Sequence, residues 1–347
     1  MSKLSTNTDS SNIENNNITN CDVAIIGAGP TGLSAAITLK KAGLDNIIVI
    51  EREAEAGGVP RHCGHPPFGF KEYKKILTGP KYAKKNVERA LQLGINIQCK
   101  TTVTKLGEGG ELSLATPSGL KILNAKRVLI ATGARETPRS ARFITGDRAL
   151  GICNTGALQA MVYLKGKIPF KRPVIIGTEI VSFSALLTCH KAGIKPVAMI
   201  EESDKPSVRW PIYYSHHLFS SKLLLSSKIN KVIGSNRIEA VEVINTTGEL
   251  STLECDGVLF TGMFTPESSL AQMSHLAIDE NFSPTINGLG QCSDPAYYAA
   301  GNIIQLEKEK GRNRMFYAKG NAPQAVNVSG LCWEHGREIA NNILKSI

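Results

Sequence analysis

Residues 22–51, DVAIIGAGPTGLSAAITLKKAGLDNIIVIE, return at 172–201 as RPVIIGTEIVSFSALLTCHKAGIKPVAMIE, aligned without a gap. Ile25, Ile26, Gly27, Ser34, Ala35, Thr38, Lys41, Ala42, Gly43, Ile50 and Glu51 meet Ile175, Ile176, Gly177, Ser184, Ala185, Thr188, Lys191, Ala192, Gly193, Ile200 and Glu201. Each copy reads as a strand–turn–helix–strand unit of dinucleotide-binding type. Val23–Ile26 is an apolar run suited to a parallel strand buried on both faces. Gly27 permits the tight turn, Gly29 leaves room for a pyrophosphate against bare backbone, and Gly32 lets the helix pack on the strand. The spacing predicts a helix over 31–42 with Leu33, Ala36, Ile37 and Leu39 inward, ended by Gly43. Its N-terminus favours a diphosphate, and Glu51, closing the second strand, suits the hydroxyls of an adenosine ribose.

The second copy is damaged. Thr178-Glu179 replaces Ala28-Gly29, and Ser182 replaces Gly32. Serine costs little in packing, but Glu179 puts a side chain where backbone meets phosphate. Like charges about 4 Å apart repel by several kcal/mol at surface-like dielectric. Gly177, Glu179 and Glu201 therefore define a doubtful second nucleotide site. It is either a structural copy or an NAD(H) site, with Glu201 favouring NAD over NADP.

The chain's 347 residues suffice for two domains, and 42% hydrophobic with 20% charged residues is ordinary for a globular protein. The formal charge of +10 would allow nucleic-acid binding. The densest basic run, 71–89, lacks the interleaved aromatics of a single-strand groove, so it reads as a solvated helical face and no nucleic-acid partner is expected. The eight cysteines show no zinc or cluster spacing, so no metal is expected, and without a signal peptide they read as reduced thiols in the cytoplasm. Residues 1–20 are polar and Asn/Ser-rich, as in a disordered tail. No apolar stretch is long enough for a membrane span.

Further along, Gly57-Gly58 follow Glu51, short strands over 101–125 turn at 107–110 and 117–119, and Val128–Ile130 runs into Ala131-Thr132-Gly133. DPAYYAAGN (294–302) precedes an amphipathic helix over 331–344. This order resembles the two-dinucleotide-binding-domain flavoproteins, the superfamily of glutathione and thioredoxin reductases. The resemblance implies an α/β fold with two Rossmann-like βαβ dinucleotide-binding domains of three-layer ββα type, the second inserted in the first. It implies a split FAD-binding domain, 21–154 and 266–347, around an inserted NAD(P)-binding-like domain, 155–265. It implies FAD in the first site, held by Gly27, Gly29, Pro30, Thr31, Gly32, Glu51, Gly58, Val103, Thr132, Gly133, Gly301 and Asn302. Gly301-Asn302 stands where the superfamily usually has Gly-Asp, which removes a negative charge beside the diphosphate. The last helix, with Cys332 and Trp333 at its start, should aim its positive end at the flavin pyrimidine. The Lys-rich stretch 305–328 is expected to be a surface loop.

The dithiol of the disulfide reductases is absent: no C-x₄-C follows Gly58 and no C-x-x-C occurs. In its place stands VPRHCGHPPFG, residues 59–69. His62 and Cys63 are the catalytic candidates, as a base or hydrogen-bonding group and a flavin-adjacent thiol, with His65 beside them; a rigid loop whose histidines bond backbone is the alternative. GGVPRHCGHPPFG and ATGARETPRSARFITGDRALGICNTGALQ look like the branch holding the FAD subunits of opine oxidases, hydrogen cyanide synthase and multi-subunit amino-acid dehydrogenases. That resemblance implies oxidation of a C–N bond in a small-molecule substrate, with substrate hydride passing to flavin N5 and electrons then to a partner electron-transfer subunit. The alternatives are an NAD(P)H-dependent flavin reductase and a non-catalytic FAD-holding or scaffold subunit.

Overall fold

The first apolar run is longer than the pattern predicts: β1 spans Ile18–Ile26. Its first three residues, expected in the tail, pair with Ile122, Leu123 and Asn124. Backbone pairing needs no apolar side chains, so the strand extends past the buried segment. The structure is a computed structural model that describes residues 18–208, 212, 214–219, 221–304 and 328–347. The rest of the expected tail and nearly all of the expected loop 305–328 lie outside the described residues.

The chain continues through α1 (Pro30–Lys41) and β2 (Ile47–Ile50). Pro30 sits in the first turn, and Gly43 follows the last turn at φ +95°. A helix α2 (Gly79–Gln92) leads to β3 (Asn96–Gln98), β4 (Thr102–Leu106), β5 (Glu111–Thr116) and β6 (Gly119–Ile130). The sheet order is β3-β2-β1-β6-β5-β4. β6 is antiparallel to β5 along its first half and parallel to β1, so it passes from a meander layer into the parallel layer. β1 shows the three layers by alternation: Val23 and Ile25 join the core under the helices, Ala24 and Ile26 the core under the meander. Each such fully buried Val or Ile contributes about 1.5–3 kcal/mol.

The crossing into the second unit comes earlier than the expected boundary at 154/155. β7 (Ala134–Glu136) is one strand of a two-stranded connection between the units. β8 (Thr145–Gly146) and β9 (Ile152–Asn154) already belong to the second unit's sheets. After them come α3 (Thr155–Gln159), extended by a π-helical turn over 160–164, then β10 (Pro173–Ile176), α4 (Ile180–Lys191), β11 (Ala198–Ile200) and β12 (Lys222–Leu224). A meander of β13 (Ser227–Ile233), β14 (Ala240–Asn245) and β15 (Leu250–Glu254) precedes β16 (Gly257–Phe260). The parallel sheet β12-β11-β10-β16-β9 repeats the first unit's plan, with β15-β14-β13-β8 as its meander. β17 (Phe264–Pro266) pairs antiparallel with β7 and returns the chain. β18 (Tyr297–Ala299) then adds to β6, and α5 (Ser329–Leu344) closes the first unit. α5 crosses α1 at Gly336, where a Cβ would lie 2.2 Å from the Thr31 carbonyl oxygen. Ser34 Oγ donates to the Trp333 carbonyl at 2.6 Å.

Candidate functional site

The first glycine turn leaves bare backbone at the start of α1. Gly27 has φ +108°, and a Cβ there would lie 2.5 Å from the Ala131 carbonyl. A Cβ on Gly32 would lie 1.9 Å from Gly27 O, so α1 is seated directly on the turn. Gly29 differs, because a Cβ there would meet nothing nearer than Gly58 Cα at 4.0 Å. Its bareness leaves space over the helix N-terminus. Gly58 bounds that space at φ +63°. Gly29 caps α1 without a side-chain hydrogen bond, and the first turn, with Pro30 and Thr31, holds no acid. Free N–H groups, partial positive charge and bare backbone suit a diphosphate.

The other expected cofactor residues lie on several elements, some tied to this turn by hydrogen bonds and Val103 in the core beyond it. Glu51 is buried, accepting from Ala28 N at 3.0 Å and Glu53 N at 2.9 Å, which fixes its carboxylate at the end of β2. Thr132 Oγ1 donates to Glu267 O at 2.7 Å and Glu267 N donates to Gly133 O at 2.9 Å, tying the Ala-Thr-Gly turn to the returning chain. A Cβ on Gly301 would lie 2.4 Å from Thr31 Oγ1, so the Gly301–Ile303 turn bearing Asn302 rests on the start of α1. Val103 is buried in the interlayer core on β4, two residues beyond Thr101, whose N–H bonds Glu51 O.

One residue was not among those the sequence pointed to. His335 Nδ1 accepts from Gly301 N at 3.0 Å, which leaves the proton of the neutral ring on Nε2. Burial holds its pKa below the usual value. The signal was present, since His335 borders the stripe Cys332, Gly336, Ile339 and Ile343 on which α5 is buried.

The candidate catalytic loop folds as a 3₁₀ turn over Val59–His62. His62 Nε2 is buried without a hydrogen-bond partner, and burial pushes the imidazole pKa down to about 4. The ring is neutral near pH 7. Cys63 is buried, and burial pushes its thiol up to about 12. It is a protonated donor, with Sγ 3.4 Å from Gln159 Oε1 and 3.5 Å from Val59 O. His65 faces away from backbone at Nε2, which lies 2.6 Å from Ser184 Oγ on α4, while Nδ1 is 2.8 Å from Pro66 O. The structure thus keeps His62, Cys63 and His65 in one loop, with Cys63 and His65 bonded to different partners and His62 Nε2 to none.

The second turn repeats the geometry with other contacts. Gly177 has φ +110° and faces Thr261 as Gly27 faces Ala131. Ser182 fits because its Oγ meets Thr261 Oγ1 at 2.6 Å, and α4 starts with a tighter Ser182 N to Glu179 O bond where α1 has Leu33 N to Gly29 O. Glu179 is buried and turns away from the helix end onto the connection between the units, accepting from Met263 N at 3.2 Å. A Cβ on Gly262 would lie 2.0 Å from its Oε1. Burial raises its pKa, opposed by the Met263 N–H and by Arg142. Glu201 accepts from Thr178 Oγ1 and from Ser203 N, the latter at 3.1 Å.

The repeated three-layer units and the glycine cradle define a two-domain α/β oxidoreductase that binds a dinucleotide. The chain belongs to the pyridine nucleotide-disulphide oxidoreductase family, whose pattern matches residues 21–330. It is a flavin-dependent oxidoreductase with FAD as cofactor. It is 26% identical over 298 residues to a 34.2 kDa protein in the rubredoxin operon of Clostridium pasteurianum, covering 81% of this chain and 88% of that one. It is 25% identical over 182 residues to one of the opine oxidase subunits of Rhizobium meliloti (strain 1021), covering 52% of this chain and 38% of that one. Its fold matches a T. acidophilum thioredoxin reductase with a TM-score of 0.73 at 21% identity, over 94% of this chain and 98% of that one. Among the described residues no helix is long and apolar enough to cross a membrane.

Proposed function

We propose that this chain is the FAD subunit of a dehydrogenase that oxidises a C–N bond of a small amine or amino acid and passes the electrons to a partner protein. The observation that carries this reading is Glu179, a buried carboxylate where a working NAD(H) site presents bare glycine. The missing dithiol removes the disulfide route, and the opine oxidase relative supports C–N chemistry.

The proposed holders of FAD are Gly27, Gly29, Pro30, Thr31, Gly32 and Gly58 at the diphosphate. Glu51 and Val103 stand at the adenosine end, Thr132, Gly133, Gly301 and Asn302 along the closing turns, and His335 supports Gly301. When bound, FAD supplies a two-electron hydride acceptor at N5. His62 accepts the amine proton at Nε2, as its neutral ring and unpartnered nitrogen allow. Loss of that proton and of a hydride from the adjacent carbon leaves an imine. Cys63 acts as a hydrogen-bonding thiol that holds the loop. Eight free thiols fit a reducing cytoplasmic compartment.

Anaerobic titration of the yellow protein tests this. Bleaching by an amino acid or secondary amine, with little bleaching by NADH, is the expected result. Glu201 retains the ribose position and favours the second reading, an NADH-dependent reductase. Rapid bleaching by NADH alone establishes that reading and overturns the first.

A further inference from the structure

Beside the loop over 59–69, which the proposed function puts on the flavin side, lies an exposed basic surface. Residues 71–89 carry seven Lys or Arg against two Glu, a surplus equal to half the chain's +10. This run is ordered. Phe68 and Leu77 exchange two backbone hydrogen bonds, Phe68 N to Leu77 O at 3.0 Å and Leu77 N to Phe68 O at 2.8 Å. Tyr82 Oη donates to Glu72 at 2.8 Å beneath it. At the surface this leaves Lys71, Lys74, Lys75, Lys81 and Lys84 around two apolar side chains, Phe70 at 62% and Ile76 at 68% exposure. A groove of about 340 Å³ continues the face between α1, α2 and α5. Lys41, Lys71, Arg89 and Arg337 line it with Glu72 and Glu334. The acids are already engaged, Glu72 by Tyr82 and Glu334 by Lys71 at 2.9 Å. Lys41 and Arg337 make no ion pair among the described residues. The first turn of α2 abuts the flavin-side loop: Gly79 N donates to Cys63 O at 3.0 Å.

We propose that this face docks an acidic protein surface, whose protruding carboxylates enter the groove and whose apolar side chains cover Phe70 and Ile76. Exposed apolar residues within a charged rim are the composition of a protein interface. The Phe68–Leu77 segment, bridged by its two backbone hydrogen bonds, limits the entropy lost on association. The groove lining mixes Glu72 and Glu334 with its cations, which complements the mixed polar groups of an acidic protein surface better than the uniform negative charge of an anionic bilayer. Tyr82 is fully buried and Tyr73 half-buried, so Phe70 is the one well-exposed aromatic among residues 70–89, too few for the run of stacking platforms that a single strand needs. The placement beside the flavin-side loop gives the docked partner a role only under the proposed function, but the docking itself rests on the surface alone.

The test uses the FAD-loaded full chain without substrate, so its outcome is independent of any redox activity. The probe is a fluorescein-labelled (Glu-Glu-Leu)₄ peptide, read by anisotropy. Lys74→Glu, Lys75→Glu, Lys81→Glu and Lys84→Glu together should weaken binding about tenfold or more, and added salt should weaken the wild type. The same charge change at exposed Lys105, Lys165, Lys195 and Lys222 should alter it less than about twofold. Phe70→Ser with Ile76→Ser should weaken binding by about threefold and leave a (Glu)₁₂ peptide unaffected. Equal losses in the two lysine sets, or tighter binding of dT12 or of anionic phospholipid vesicles than of the peptide, overturn the proposal.

Discussion

Gly29 and Glu179 occupy the same position in two copies of one unit, and they separate what the turn needs for folding from what it needs for a ligand. A Cβ is excluded at Gly32 by backbone 1.9 Å away, whereas none is excluded at Gly29. Gly32→Val should therefore lower Tm sharply, by about 1–3 kcal/mol or more of stability, in apo and holo protein alike. Gly29→Glu should leave the apo Tm nearly unchanged and abolish yellow colour after purification. Equal effects on the apo Tm would contradict the cradle. The converse change, Glu179→Gly, should increase the rate at which NADH bleaches the flavin; no change would mean that more than this carboxylate disables the second site. The aligned sequence exposed both differences, because phosphate contact demands bare backbone and a glutamate there is visible by inspection. It did not show where the glutamate goes. That depends on Gly262 and Met263, more than 80 residues away in sequence.

At the scale of elements, the loop over 59–69 is held by the second unit. Gln159, on α3, accepts from Cys63 and donates to Ser184 Oγ at 2.8 Å and Thr188 Oγ1 at 3.3 Å on α4. Ser184 in turn meets His65, and Lys191 Nζ donates to Gly64 O at 2.7 Å. The Tyr163 ring, in the π-helical turn, fills the space where a Gly64 Cβ would lie. A connected polar network of this kind loses more than one bond when its centre is removed. Gln159→Leu should cost about 1–3 kcal/mol and should raise the rate of Cys63 alkylation, followed by peptide mass spectrometry. Ser184→Thr should preserve protection while Ser184→Ala should not. Unchanged alkylation in Gln159→Leu would show that the loop holds itself. His62, at the end of the 3₁₀ turn, carries a pH prediction under the proposed function. Its pKa is depressed to about 4, so flavin reduction by substrate should keep a His62-dependent acid limb near pH 4 instead of 6.5. Helices, strands and the loop's composition were legible from periodicity and glycine placement. The network was not, because its partners lie 96 and 119 residues apart and hydrogen-bond pairing leaves no local pattern.

The whole molecule is two copies of one architecture joined through β7 and β17, and the joint is where buried charge collects. Glu136 accepts from Gly156 N at 2.8 Å and from Gly262 N at 3.2 Å. Arg142 donates to the carbonyls of Thr137, Thr261 and Gly262 at 3.0, 2.9 and 2.8 Å. Glu179 lies against the same Gly262. The repeat revealed the two units but placed their boundary at 154/155, because the helical pattern from Thr155 is conspicuous and the short strands β8 and β9 are not. Both carboxylates have pKa values raised above the ordinary range, with burial the first cause and backbone N–H groups opposing it. The sign follows from linkage. A folded state whose carboxyl holds its proton more tightly than the unfolded chain is favoured at pH below the unfolded value, and that advantage is lost as pH rises through the folded pKa. Glu179→Gln keeps the shape and the acceptor for Met263 N while removing the charge. It also removes the attraction to Arg142, which burial outweighs here. The variant should therefore melt at higher temperature than the wild type at pH 8, with the difference shrinking as pH falls to and below the unfolded carboxyl's 4.5, where the wild-type group becomes protonated in both states. Calorimetry of both proteins across that range measures it. A lower Tm for the variant at pH 8 would mean that the Arg142 attraction exceeds the burial penalty, and that the joint is held by an ion pair.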